Sequence, residues 1–335
     1  MTQFKSNYLN QITDDIYQVK QPLPFALKII NCYLLRGQSG WTIVDTGLNT
    51  PPARQVWQDA FSTLGILAGD IEQIVLTHTH PDHFGLAGWL QQFGQTDSYT
   101  PPVITSSHEA RLAREIWIRN TGNFTERYNQ FWANCGLPPE IHQGILSQSD
   151  AVRDQTFPHP LTLETVESGE TIHLGRRQFN IIHAPGHSDG QIIFYDPIDH
   201  LILCGDQVLT KITPNIGLWP VSEPNPLGQY LESLTDLTKL DVQLALPGHG
   251  PLINTWHARI DELKAHHVTR LEETLLAVKT YQTPYTISKQ LFNIDQLNDH
   301  QVRFALAETL SHLELLSIQN QIKQYRNGTR IYSLV

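Results

Sequence analysis

Short apolar runs rich in β-branched residues, broken by Gly, Pro and Asp, dominate the first hundred residues. Residues 15–19, 31–36 and 41–45 have the length and composition of strands. Pro51 and Pro52 then open a predicted helix over 53–64, with Val56, Ala60 and Leu64 at four-residue spacing. A buried strand over 71–77, a helix over 85–93 and a strand over 101–105 continue the alternation, which implies a layered α/β core.

Residues 106–160 break that rhythm. Helical stretches at 110–119 and 124–135 carry Trp117, Phe124, Tyr128, Phe131 and Trp132, and read as an inserted helical subdomain or lid, or as a peripheral pair packed on the core. Strand character returns at 163–166, 171–174, 178–184, 191–195 and 201–204. A helix over 227–240 and a strand over 243–246 follow. The tail reads as a long helix over 255–280, broken by Pro284, then helices over 286–292 and 302–318. Strands at 321–325 and 329–334 flank the hairpin dipeptide Asn327-Gly328. Helix, helix, helix, hairpin is the order of a winged helix. The expected division is 1–254 for the main body and 255–335 for the tail.

Composition narrows the function. The chain has 335 residues, of which 40% are apolar and 17% charged, enough for a packed core. Its net charge is 23 − 33 = −10, which disfavours a general affinity for nucleic acid or anionic membrane. No apolar run approaches a bilayer span, and the start MTQFKSNYLN has no hydrophobic signal core. Cys32, Cys135 and Cys204 are widely separated and form no CxxC. A cytoplasmic, reducing location is expected. The single Met1 excludes a Met-rich recognition groove.

Histidine is the unusual residue, with sixteen copies. Three imidazoles and a carboxylate crowd into Leu76-Thr77-His78-Thr79-His80-Pro81-Asp82-His83 at a strand exit. Residues two apart in an extended segment point the same way, so His78 and His80 converge. The turn at Pro81 lets Asp82 and His83 face a second point nearby. Neutral imidazole and carboxylate suit zinc, iron or manganese. Three later turns each follow an apolar strand and carry a ligand-capable residue: Pro185-Gly186-His187, Gly205-Asp206 and Pro247-Gly248-His249. Asp45 is a similar strand-end carboxylate, placed to fix a ligand histidine.

This order resembles the metallo-β-lactamase superfamily over roughly residues 10–255. The resemblance implies a four-layer αββα sandwich of the α/β (α+β) class. His78, His80 and His187 would bind one metal, Asp82, His83 and His249 a second, and Asp206 would bridge them. It also implies two divalent ions, zinc first with iron or manganese as alternatives, and hydrolysis by a metal-activated hydroxide that Asp82 helps to orient. The tail, through Thr283-Pro284-Tyr285-Thr286-Ile287, residues 307–313 and Asn327-Gly328, resembles the winged-helix domain of lactamase-β-2-like hydrolases. A thioester, as in the hydroxyacylglutathione hydrolase branch, is the first expected substrate, with a lactone next. A ribonuclease or phosphodiesterase, and a non-enzymatic nucleic-acid-binding protein, are the alternatives. Residues 255–335 carry 9 − 8 = +1 net charge, unlike a DNA reader. Packing, homodimerisation or a substrate-edge role is therefore expected of the tail.

Asn215 and Trp219, in the loop after Asp206, are candidate pocket residues. So is His183, one alternation before the Pro185 turn, although a hydrogen-bonded structural histidine is the favoured reading there. Gly186-His187-Ser188-Asp189-Gly190 fits GxSxG, but the β-rich stretch after it rules out a nucleophile elbow, which needs a helix. His108-Glu109 begins HExxH, but Leu112 stands where the second histidine belongs.

Overall fold

The computed structural model describes residues 8–118, 122–279 and 282–335. The expected helix ends at Arg119 and Thr280, and the start of the chain, lie outside the described residues. The first sheet has seven strands: β1 (Leu9–Gln11), β2 (Ile16–Pro22), β3 (Ile29–Arg36), β4 (Trp41–Val44), β5 (Ile71–Val75), β6 (Val103–Ser106) and β7 (Glu164–Val166). β1 to β4 are antiparallel neighbours, and β4 to β7 run parallel. The second sheet orders β12 (Leu244–Pro247), β11 (Leu201–Gly205), β10 (Ile192–Asp196), β9 (Arg177–His183) and β8 (Thr171–Leu174). Only its β11–β12 pair is parallel.

Alternation along the strands builds the layers. Tyr33, Leu35 and Val44 pack with Ile192, Phe194, Leu201 and Leu203 between the sheets. Their neighbours Leu34 and Ile43 face outward, under Trp57 and Phe61 of α1 (Pro51–Leu64) and Leu90 of α3 (Ala87–Gly94). Ile193 and Ile202 face the other way, under Leu227, Tyr230 and Leu234 of α7 (Pro226–Leu237) and Ile260 of α8 (Trp256–Ala277). Central strands are thus apolar on both faces, as strands covered by helices must be. The expected four-layer αββα arrangement follows. Thr50 caps α1 by accepting from the Ala53 amide, and Gly65 ends it in the left-handed conformation.

The insertion holds α4 (Ser107–Ala113), α5 (Gly122–Ala133) and α6 (Pro139–Asp154), with one π-helical turn after α4. Helix α6 has no counterpart in the sequence reading. Ile145 is its only fully buried residue, so its apolar stripe is thin. The tail adds α9 (Pro284–Leu291), α10 (Asp299–Ile318) and the hairpin β13 (Ile322–Asn327) and β14 (Thr329–Leu334). Helix α10 is enclosed. Leu306 and Leu310 meet the insertion aromatics, Leu313 and Leu316 meet the tail core, and Leu315 joins the cluster beneath α7 and α8. The aromatic insertion is therefore clamped to the tail rather than standing free.

Candidate metal centre

Every ligand-capable group foreseen from the sequence sits where a strand ends at one edge of the sandwich. After β5 the chain runs extended through His78 and His80. One helical turn, α2 (Pro81–Phe84), then redirects it, so that Asp82 and His83 face inward. The β9, β11 and β12 exits deliver His187, Asp206 and His249. Two glycines allow the approach. Gly186 has φ +127, and a Cβ there would lie 2.4 Å from that of Tyr230. At Gly248 a Cβ would lie 2.2 Å from Asp206 Oδ1 and 2.8 Å from His83 Cε1. A side chain at either position would push a ligand turn outward.

The donor atoms converge in three sets, with atoms in each set within 4.8 Å of one another: His78, His80 and His187; His78, His83 and Asp206; Asp82, His83 and His249. Asp206 faces both halves. Its Oδ1 is 3.4 Å from His83 Nε2, and its Oδ2 is 3.5 Å from His187 Nε2 and 3.4 Å from His249 Nε2.

Hydrogen bonds set which nitrogen is free. His187 Nδ1 donates to the Asn215 carbonyl at 3.0 Å, and His249 Nδ1 to the Ile29 carbonyl at 2.8 Å. A carbonyl only accepts, so each Nδ1 carries a proton and Nε2 is the nitrogen aimed at the centre. His83 Nδ1 donates to Asp45 at 2.8 Å. His78 Nδ1 donates to Thr77 Oγ1 at 3.0 Å, whose own proton goes to Asp45. His80 presents Nδ1, 3.1 Å from His78 Nε2 and 2.9 Å from His187 Nε2.

These residues fit bound metal ions. His83 Nε2, Asp206 Oδ1 and His249 Nε2 are buried with no hydrogen-bond partner, and the nitrogens of His78, His80 and His187 face one another. Burial, reinforced by neighbouring imidazoles, drives the His78 pKa down and brings His80 to about 3. Burial lowers His187 as well. All three are neutral ligands at ordinary pH. At His249 burial again opposes charging, but Asp206 and Asp82 outweigh it and raise the group to about 10. Burial works against ionisation of Asp82 too, yet His249 and His83 bring its carboxyl to about 2. The acidic half of the site thus attracts positive charge.

Behind this shell, Asp45 accepts from the Thr77 amide at 2.9 Å as well as from His83. It does so from a left-handed backbone, φ +57. Sequence reasoning missed two further braces. Asn31 donates its side-chain amide to the Pro247 and Gly250 carbonyls, and its backbone amide to Gly248, tying β3 to the His249 turn. Glu109, fully buried at the start of α4, accepts from the Thr79 amide (2.8 Å) and hydroxyl (2.6 Å), the Ser188 hydroxyl and the Gly190 amide (3.0 Å). It joins the His78–His80 strand to the His187 turn. The only sequence signal was a broken HExxH, and the carboxylate works by tertiary contact. The strand β10 after Gly190 removes the nucleophile elbow, as expected.

A cavity of about 500 Å³ opens on His80, Asp82, His187, Asp206 and His249. Its other walls come from the insertion, the loop after Asp206 and α10. Asn215 and Trp219 line it. Trp219 also packs edge-on against Trp132 (6.0 Å) and Phe304 (5.5 Å), so it serves both cavity and core. His183 is a correction: it lies outside the cavity, on an exposed strand end. Its Nε2 donates to the Asp189 carbonyl at 2.8 Å, bracing the 188–190 turn from behind.

A family model described as "Metallo-beta-lactamase superfamily" matches residues 27–249, and one described as "Metallo-beta-lactamase-like, C-terminal domain" matches 271–333. A metallo-beta-lactamase family protein of Thermus thermophilus is 32% identical, with a TM-score of 0.86, over 97% of this chain and 100% of its own. The probable metallo-hydrolase YqjP of Bacillus subtilis (strain 168) is 25% identical over 96% of this chain and 98% of its own. An acyl-coenzyme A thioesterase of Bos taurus is 23% identical over 77% of this chain and 85% of its own.

Proposed function

We propose a specific chemistry for this chain, which belongs to the metallo-beta-lactamase superfamily: it is a dinuclear metal-dependent hydrolase of small ester-type substrates, thioesters first. The observation that carries the reading is a mostly apolar cavity opening directly onto three overlapping sets of converging histidine and carboxylate donors. His78, His80 and His187 would hold one cation, Asp82, His83 and His249 the other, with Asp206 between them. When bound, such a pair supplies Lewis acidity: it lowers the pKa of a water and polarises a substrate carbonyl.

The chain's own groups do the rest. Asp82, at the cavity floor, is ionised and accepts a proton or a hydrogen bond from the attacking water. Asp45, Asn215 and the Ile29 carbonyl hold His83, His187 and His249 with the correct nitrogen forward. Leu112, Ile116, Phe124 and Trp219 offer an acyl chain a dry wall. The bovine relative is a thioesterase by name, which supports the same substrate class.

A nuclease would need a continuous basic groove leading to the donors, whereas these walls are mostly apolar and carry, among the described residues, only Arg153 and Arg303 as arginine or lysine. A groove-reading role for the tail would need a free third helix. In α10, by contrast, eleven of twenty residues are buried. Among the described residues no helix is long and apolar enough to cross a membrane. The test is a turnover screen of zinc-, iron- and manganese-loaded protein on acyl thioesters, lactones, phosphodiesters and single-stranded RNA. Thioester or lactone cleavage is expected. Cleavage of RNA alone, lost in His80→Ala, would overturn the reading.

A further inference from the structure

We propose that the wall built by α6 and α10 is an anion subsite, where Arg303 and Arg153 receive a carboxylate or phosphate that the substrate carries away from the bond cleaved. The proposal rests on the cavity being the substrate site of a hydrolase.

Two cations line a cavity whose surface is otherwise largely apolar. Arg303 Nη1 donates to the Tyr128 hydroxyl at 3.1 Å and the Ser149 hydroxyl at 3.4 Å. Its guanidinium carbon lies 5.4 Å from the centre of the Trp219 ring and 4.9 Å from that of Phe304. Hydroxyls and rings orient the group, and none of them carries a charge. Among the described residues no carboxylate lies within 4 Å of Arg303, and its buried Nε has no hydrogen-bond partner.

Arg153 stands one helical turn after Ser149 on α6, and it lines the same cavity as Arg303. Arg153 Nη1 bonds Asp150 at 3.0 Å, but Asp150 is 72% exposed and Arg153 only 17%. A pair with one member in solvent is weak. The Arg153 Nε is also buried without a partner.

A purely structural arginine in such a wall is expected to face a carboxylate, because a half-buried charge without one is costly. The nearby acid, Glu308, is engaged elsewhere: it accepts from Asn215 Nδ2 at 3.2 Å and lies 3.8 Å from Arg270 Nε. His300, one turn before Phe304 on α10, is held neutral by burial and by the charge of Arg303, with a pKa near 4. The planar fork of Arg303, held over two rings before any ligand arrives, matches a carboxylate or phosphate edge. Ordering it in advance lowers the cost of binding.

The test uses metal-loaded full-length protein in two arms. In the first, kcat/KM is compared for acyl thioesters of N-acetylcysteamine, neutral against ω-carboxylated at equal chain length, and for the same neutral acyl groups on 4′-phosphopantetheine. We expect one anionic series to be preferred by about tenfold to a hundredfold. Arg303→Met should bring that ratio close to one, and Arg303→Lys should retain part of it. Preference for the ω-carboxylated series places the anion on the acyl group, and preference for phosphopantetheine places it on the thiol. In the second arm, calorimetry measures binding of glutarate and of 4′-phosphopantetheine. One should bind, with affinity lost in Arg303→Met and weakened in Arg153→Met at equal metal content. Binding that survives Arg303→Met, or no binding of either probe, overturns the subsite. Thioester turnover with no Arg303-dependent preference also overturns it and leaves the hydrolase reading standing. Absence of any thioester turnover, with probe binding still dependent on Arg303, overturns the thioester reading and upholds the subsite.

Discussion

The donor edge and the cavity wall lie side by side and are built on opposite principles. At the edge each group hangs from a strand end or the single turn α2, and His78, His83, His187 and His249 are each fixed by one hydrogen bond to the far nitrogen. Backbone geometry positions it, so the chemistry stays local in sequence. The wall is assembled from α4, α5, α6, the loop carrying Asn215 and Trp219, and α10. Tyr128 and Arg303, which touch, are 175 residues apart in the chain. Side-chain packing between helices positions this surface. The donor groups therefore rest on the ends of the sheets, and the cavity wall rests on packing between helices.

Removing one donor should give the largest effect. Asp206→Ala, which takes away the group facing both halves of the centre, is expected to lower turnover at least about a thousandfold, with metal lost in parallel. Metal analysis and steady-state kinetics on one preparation check this. Near-normal turnover would show that the edge does not act as one unit.

The brace between edge and insertion comes next. Glu109→Ala would strand the buried Thr79 and Gly190 amides. It should cost about 3 kcal/mol of stability, read by denaturant unfolding. A cost within error of zero would mean that the two regions stand independently.

Behind the wall, His312 Nδ1 donates to the Glu308 carbonyl, and His267 Nδ1 donates to His312 Nε2 at 3.3 Å. Burial first, then neighbouring positive groups, lowers His267 to about 3 and His312 to about 4. Both start from 6.5 when unfolded. The unfolded chain therefore binds more protons below that value. Stability is complete above pH 6.5 and is lost as the pH falls toward 4. The loss should be about 2 kcal/mol for each histidine, about 4 kcal/mol for the pair, by pH 5. Melting curves of wild type and His312→Asn between pH 7 and 5 check it, and the variant should show the shallower slope.

The smallest expected effect is on the wall itself. Trp219→Ala should raise KM about fivefold for long acyl thioesters and less for short ones. A change independent of chain length would place the acyl group elsewhere.

The same contrast explains what could be read from the sequence. The donors were visible because strand, tight turn and ligand are consecutive, as in Ile181 to His187 and Leu244 to His249. Asp45 was visible for the same reason. Glu109 was not, because its four partners lie 30 and about 80 residues away. Helix α6 was missed although Ile141, Ile145 and Leu146 lie at helical spacing, because the rest of its surface is mostly polar and only Ile145 is fully buried. Leu306, Leu310, Leu313 and Leu316 stand at helical spacing in the sequence of α10. What they pack against depended on two segments far away in sequence. Strand parity allowed His183 to approach the site, but its ring bonds back to the adjacent turn, in line with the structural reading.

The most direct measurement is the metal content of purified protein after chelation and reloading, followed together with hydrolysis. The account predicts that two equivalents bind, that activity falls away on removal and returns on reloading, and that His80→Ala and Asp206→Ala fail to regain it. Full hydrolytic activity in protein holding less than a tenth of an equivalent of any divalent metal would contradict it.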